Sequence, residues 1–400
     1  MSDVAVAGGY RDVLRLPHAA PVFSAALIGR LSFATVSLAL LLTVQRATGS
    51  YGTAGAATAL FGMANVVLSP PRARLVDRRG QRGPLRWLAS GYAAALLIVA
   101  ALAATTTIAG WTLVAAAMVA GACAPPLGPA MRALWASLAP DPATLTRAYS
   151  LDAVAEEVLF VTGPLLVAAI VLVAPPAAAL VVAGMLSVIG TMAMTRSPAT
   201  ISRSSAGARP GGRSARPLRQ LGFRPLLMAM LGVGVVLGTV EVAVPAFAHQ
   251  HHHAAAAGPL LSVLSIGSAA GGLLYGRRTW NLRAGVRVLL LAGGLSLASG
   301  TLILASETPL LATILLILGL LLAPTLITGY LLADHLSPTG AGTEASSWIN
   351  TATNAGAAAG AALAGLLVDH HGIPTALATG AGLAAGCTLL AAARTRNLSR

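Results

Sequence analysis

No lysine occurs in the 400 residues, and charged side chains of any kind make up only 10%, against roughly 25% in ordinary soluble domains. Aromatic residues are equally scarce, at 4%. With hydrophobic residues at 56% and a mean hydropathy of +0.78, so little charge excludes a water-soluble fold, because no soluble core hides that much apolar surface. The net charge of +14 comes from 26 arginines scattered between apolar runs, so no basic domain exists to hold a nucleic acid. Only two cysteines occur, Cys123 and Cys387. They lie far apart inside apolar runs without metal-ligand spacing, which reads as packing and not as a disulfide or metal framework. No phosphate-cradling loop of the Walker type is present, which excludes ATP as the driving force. No nucleophile triad or metal cluster stands in a plausible active site. The chain is therefore read as a non-enzyme without a cofactor. The first apolar stretch lacks a small-residue cleavage site and is followed by many like it, so it reads as an anchor and not a removable signal.

What is present is a series of long apolar runs. A spanning helix needs about 20 mainly apolar residues, because hydrocarbon offers no partner to backbone amides. Twelve such runs occur, near 21–44, 52–70, 87–107, 112–136, 150–173, 176–195, 224–247, 257–275, 286–305, 309–332, 345–368 and 373–393. They are continuous, not alternating, which excludes a membrane β-barrel. The expected fold is an all-α integral membrane protein of twelve transmembrane helices in two pseudo-symmetric six-helix bundles. Ala174-Pro175-Pro176 between the fifth and sixth runs is a tight turn or a kink in one long segment. With the N-terminus inside, every arginine except Arg30 in the first run and Arg46 outside falls at cytoplasmic segments or helix ends, as the positive-inside bias requires. Both termini are then cytoplasmic in a multi-pass protein of the cytoplasmic membrane. The expected segments are an N-terminal segment 1–20, a first bundle 21–195, a basic linker 196–223, a second bundle 224–393 and a tail 394–400.

The halves resemble each other. Arg72–Arg82 reads RARLVDRRGQR and Gly271–Asn281 reads GGLLYGRRTWN, so Arg78-Arg79 falls on Arg277-Arg278 at an offset of 199. The fifth run from Ala148 lies over the eleventh from Ala345 at an offset of 197, matching Gly163 with Gly360. Two loci at nearly one offset indicate duplication of a six-helix unit.

Asp77-Arg78-Arg79-Gly80-Gln81-Arg82 resembles the signature loop of the major facilitator superfamily, Gly-x-x-x-Asp-Arg-x-Gly-Arg-Arg, with Ala73 for the leading glycine and Gln81 for one arginine. Gly163-Pro164 is similar to the Gly-Pro core of the drug:proton antiporter motif, without its flanking glycines. The eleventh run, from Glu344 through Asn354 to Gly360, looks like the bacterial efflux-permease branch related to drug and sugar exporters. The resemblance implies alternating access around a midplane cavity, a small-molecule substrate, protons as coupling ion, and a monomer in the lipid bilayer. It also implies that Asp77, Arg78, Gly80 and Arg82 form a conformational latch. Physically, Asp77 can face a helix N-terminus or the adjacent arginines, and Gly80 permits the reversal.

Ionisable groups at membrane depth are costly, about 2.5–3.5 kcal/mol each on insertion scales, so each needs a reason. Arg132 in the fourth run and Glu156 and Glu157 in the fifth are at similar depth. Arg132, Asp152 and Glu156 read as a structural charge network, with Asp152 and Glu156 one turn apart. Glu157 points about 100° away and is left to meet Arg30. Glu157, Arg30, and Glu241 in the seventh run are the candidates for proton coupling or substrate binding. Glu241 can alternatively be an outer gate residue. Asn350 and Asn354, one turn apart, either bind substrate or tie helices together. Glu344 starts the eleventh run, where a carboxylate suits the helix dipole. His249, His251, His252 and His253 form an external tract that reads as a solvated loop, with metal binding or pH sensing as the sharper alternative. Gly356, Gly360 and Gly365 permit close packing. Pro125, Pro126 and Pro129 with Gly128 are expected to kink the fourth helix and free carbonyls. Export of a hydrophobic or amphiphilic compound against protons is the leading function; proton-symport uptake of a metabolite, or a sensor without flux, are the alternatives.

Overall fold

In a computed structural model the described residues are 9–105, 109–200, 216–251 and 256–394. Their long helices, labelled in chain order, are α1 Ala19–Thr48, α2 Tyr51–Arg79, α3 Arg82–Ala103, α4 Gly110–Leu138, α5 Pro142–Val173 and α6 Ala177–Arg196. The series continues with α7 Phe223–Gln250, α8 Ala257–Arg277, α9 Ala284–Leu304, α10 Thr308–Leu336, α11 Gly342–His371 and α12 Ile373–Ala393. A six-residue helix, Tyr10–Arg15, precedes α1. All twelve are long and apolar enough to cross a membrane. Each coincides with one expected run, because continuous apolar sequence of that length is stable only as a helix with its backbone bonds satisfied inside the segment. The chain is a multi-pass membrane protein.

The ends differ from the apolar runs for local reasons. Polar residues of good helix propensity prolong α2 through Arg72, Arg74 and Arg79 until Gly80, whose φ of 80° no ordinary side chain adopts readily. α5 starts at Pro142, two turns before its apolar run. Asp141 caps it: the Thr144 backbone N–H donates to Oδ1 at 2.9 Å and the Thr144 hydroxyl to Oδ2 at 2.6 Å. α4 is discontinuous, its two pieces ending at Cys123 and starting at Leu127, because Pro125 and Pro126 cannot donate to the ladder. Ala174-Pro175-Pro176 is a turn between two separate helices.

Two compact units form. One comprises residues 1–140, 158–213 and 340–347, the other 141–157, 214–339 and 348–400; residues 201–215 of the expected linker lie outside the described residues. In the first unit α1 packs on α6, α2 on α4, and α3 on both α4 and α6. In the second α7 packs on α12, α8 on α10, and α9 on both α10 and α12. The pairing is the same after a shift of six helices. Gly163 of α5 abuts the Ala34 carbonyl of α1, and Gly360 of α11 abuts the Val235 carbonyl of α7. A methyl at Gly163 would meet Ala34 backbone at 2.5–2.6 Å, so these matched glycines permit two equivalent helix crossings. The core of the first unit gathers Val36, Leu40, Phe61, Tyr92, Leu96, Leu113 and Leu180.

The cap at α5 carries a pH signature. The Thr144 side chain first, and then backbone N–H groups, hold the Asp141 carboxyl below its ordinary value. Its contribution to stability is therefore present above the unfolded carboxylate range near pH 4 and is lost as pH falls through the lower folded value. Asp141→Ala is expected to cost about 1 kcal/mol at neutral pH. Thermal melts against pH should show the deficit closing below about pH 4.

Candidate transport site

Glu157 stands midway along the 32-residue α5, half-buried. It accepts hydrogen bonds from the hydroxyls of Ser268 and Ser265 on α8. Gly272 of α8 faces Val154 of α5, 3.8 Å from where a methyl on it would stand, an ordinary van der Waals distance. Ser268 is 1% exposed. Within the second unit the partners of this carboxylate are thus neutral hydroxyls. A carboxylate so held keeps hydrogen bonds in either protonation state, since a protonated carboxyl donates where the hydroxyls rotate to accept. Ser265 and Ser268, three residues apart on a small-residue helix, read in sequence as packing residues, and no spacing rule marks them as partners of a distant glutamate.

In the same unit Tyr330 of α10 donates its hydroxyl to Asn350 Oδ1 of α11, and Tyr149 of α5 meets Tyr330 edge-on at 6.4 Å between ring centroids. Asn354 and Glu241 are exposed. Glu241 makes no hydrogen bond or ion pair with the described residues. His251 stacks on Phe247 at 4.0 Å and places Nδ1 3.0 Å from its carbonyl oxygen. It lines a mainly apolar cleft of about 290 Å³ with Phe247, Leu302, Leu311, Ile373 and Leu377. His252 and His253 lie outside the described residues. Among the described residues no three His, Cys, Asp or Glu side chains converge on a metal site.

In the first unit Arg30 and Arg132 converge. A methyl on Gly128 would sit 3.7 Å from Arg132 Nη1 and 3.8 Å from Arg30 Nε. Both are buried, as is Asp152 in the second unit; these three and the half-buried Glu156 all make polar contacts.

The signature loop shows a defined geometry. Asp77 receives the backbone N–H of Glu344 at 2.8 Å and of Thr343 at 3.3 Å, so it caps the first turn of α11. That N-terminus offers unpaired donors and a positive dipole end. Glu344 itself turns to Arg74, accepting from Nε at 2.9 Å and from Nη2 in a fork-to-fork pair. Ser69 and Ser347 bond at 2.6 Å one turn away. Gln81, standing where the signature has an arginine, is 2% exposed and donates to the Ala130 carbonyl at 3.0 Å; an uncharged amide suits that buried place. Arg78, Arg79 and Arg82 are exposed. Arg74 carries the ion pair, although sequence pointed only to the arginines after Asp77. A cycle of Arg74→Ala, Glu344→Ala and the double variant, read by melting temperature, is expected to give a coupling of about 1.5–3 kcal/mol. The Glu344 side chain is only 3% exposed, and Arg74→Ala alone removes this pair from it.

Arg72 was read as a topogenic arginine at the end of the second run. It is buried instead, 7% exposed, and fills the break in α4. Its Nη1 donates to the carbonyls of Gly121 (2.9 Å), Ala122 (3.2 Å) and Ala124. Nη2 donates to Asn65 O (2.6 Å) and Oδ1 (2.8 Å), and Nε to Leu68 O (3.0 Å).

The Major Facilitator Superfamily model matches residues 22–361. The chain belongs to the Major Facilitator Superfamily. Solved structures agree with this fold at low identity. The human organic anion transporter MFSD10 (TETRAN) is 18% identical, with 96% of this chain and 100% of that chain covered and a TM-score of 0.71. A bacterial homologue of the iron transporter ferroportin in an outward-facing state is 15% identical over 95% and 99%, at a TM-score of 0.75. The E. coli fucose:proton symporter FucP is 14% identical over 92% and 98%, at 0.62. No curated protein sequence matches the chain. As a superfamily member it is a membrane transporter moving a small molecule by secondary transport.

Proposed function

We propose that this transporter exports a hydrophobic or amphiphilic small molecule across the cytoplasmic membrane in exchange for protons, as a monomer with both termini in the cytoplasm. The observation that carries the coupling is the mid-helix Glu157 held by Ser265 and Ser268. A carboxylate at that depth is costly as an anion, and neutral hydroxyls leave it free to take up and release a proton. Arg30, Glu241, Asn350 and Asn354 complete the set assigned to the transport pathway. Arg132, Asp152 and Glu156 form the structural charge network. Asp77, with Arg78, Gly80 and Arg82, forms a latch on the start of α11 that must release during alternation. The arginine distribution supports the orientation. Gly163-Pro164 supports the antiporter-like branch, and a fucose:proton symporter shares the fold.

The test is flux in proteoliposomes with an imposed pH gradient and a trapped pH dye, across hydrophobic cations, organic anions and sugars. Compound movement opposite to proton movement is the expected result. Movement in the same direction overturns export in favour of uptake, and binding without flux at any gradient overturns transport coupling.

A further inference from the structure

The second unit contains a cleft whose lining includes none of the residues assigned to transport. α10 and α12 each start with a proline in the first turn, where its missing N–H costs nothing. Residues 305–307, and Gly372 at a φ of 85°, return the chain within a few residues. The starts of α10 and α12 thereby stand beside the last turns of α7 and α9. These four helices border a cleft of about 290 Å³, whereas an apolar cavity of about 150 Å³ holds one benzene ring. Its floor is apolar and buried, formed by Phe247, Leu302, Leu311, Ile373 and Leu377. Its rim is polar and exposed, formed by Gln250, His251 and Ser306. No arginine, aspartate or glutamate lines it.

His251 sets what the rim can recognise. Its Nδ1 lies 3.0 Å from the Phe247 carbonyl oxygen. A carbonyl only accepts, so Nδ1 carries the proton, and in the neutral ring Nε2 is then an acceptor. No described residue donates to Nε2. The imidazole also stacks on Phe247 at 4.0 Å with 27° between the planes, so the two rings form one flat wall. In sequence this histidine belongs to a tract that reads as a solvated loop; the fold turns it into the edge of an apolar site.

We infer that this cleft binds an uncharged aromatic molecule of about two fused rings that carries a hydroxyl, with the rings against the Phe247–His251 wall and the O–H donated to His251 Nε2. An ion would lose its hydration where no lining residue offers the opposite charge. A plain hydrocarbon would fill the floor but shield the His251 acceptor from water without replacing its hydrogen bond. Flat rings pack on aromatic faces in offset or tilted stacks, which favours an aromatic body over a flexible chain. The site lies within one unit, and binding there needs neither flux nor a proton gradient, so it stands apart from the coupling assigned to Glu157.

The experiment is a calorimetric titration of the full chain in detergent at pH 7.5, with the heat of detergent alone subtracted. The probes are 2-naphthol, 2-methoxynaphthalene, which lacks the O–H, and the anion 2-naphthalenesulfonate. 2-Naphthol is expected to bind about tenfold more tightly than the ether, and the sulfonate not to bind. His251→Phe keeps a ring against Phe247 but removes the acceptor, so both neutral compounds should then bind equally. Ile303→Trp, at a lining position 40% exposed with room for a larger side chain, should fill the cleft and remove binding of both. Melting of the two variants checks that they are folded, and the comparison of probes on the wild type requires neither. Equal affinity of 2-naphthol and its ether for the wild type, or no binding of either, overturns the inference. So does a preference that survives in His251→Phe. Binding untouched by Ile303→Trp also overturns it and puts the aromatic compound elsewhere on the protein.

Discussion

Glu157→Gln is expected to abolish gradient-driven transport while leaving a folded protein that still exchanges substrate. Glutamine keeps the volume of the side chain, and its amide oxygen still accepts from the hydroxyls of Ser265 and Ser268. What it loses is the proton. Each pH unit across the membrane supplies about 1.4 kcal/mol per proton moved, and a carrier harvests it only through a group that changes charge between its two states. With that group neutral throughout, accumulation against a gradient should fall to the level of protein-free vesicles, whereas energy-independent counterflow persists. Ser268→Ala should keep coupling but shift its pH profile, since one of the two hydroxyl partners is gone. Glu241→Gln should also depress accumulation. Full gradient-driven transport in both Gln variants would remove the coupling assignment.

Arg72→Ala is expected to destabilise the protein by about 3 kcal/mol or more, the largest stability effect of any substitution considered. The side chain fills the gap that Pro125 and Pro126 open in α4, donating to carbonyls on both α2 and α4. Each carbonyl left without a donor inside a membrane protein carries a penalty of about 1–3 kcal/mol, and water has little access to repair it at a residue 7% exposed. Arg72→Lys should recover only part, because one ammonium cannot reproduce a planar fork that spans two helices. Melting of the purified protein and its expression yield check both variants. A wild-type melt for Arg72→Ala would show that the break in α4 is stable unaided.

The twelve spans were legible because hydrocarbon imposes a single rule on them, and a length of apolar residues answers it. The duplication was legible for the same reason a repeat always is: Gly163 and Gly360 stand at equivalent crossings and carry the same residue. Asp77 was readable as either a helix cap or a partner of the adjacent arginines, because an Asp-Arg-x-Gly turn has few physical uses; that it caps α11 was not. Arg72, Ser265 and Ser268 were not readable. In composition Arg72 resembles the topogenic arginines around it, and a serine on a small-residue helix looks like packing.

Order along the chain thus decides how many times it enters the bilayer, where helices end and which half repeats which, since those follow from local solvation and backbone bonding. Pairings between distant helices decide the rest: whether an arginine faces headgroups or a broken helix, and which side chains a mid-helix glutamate meets within its unit. These depend on which helix faces come together, and twelve uniformly apolar helices carry too weak a polar pattern to announce their neighbours.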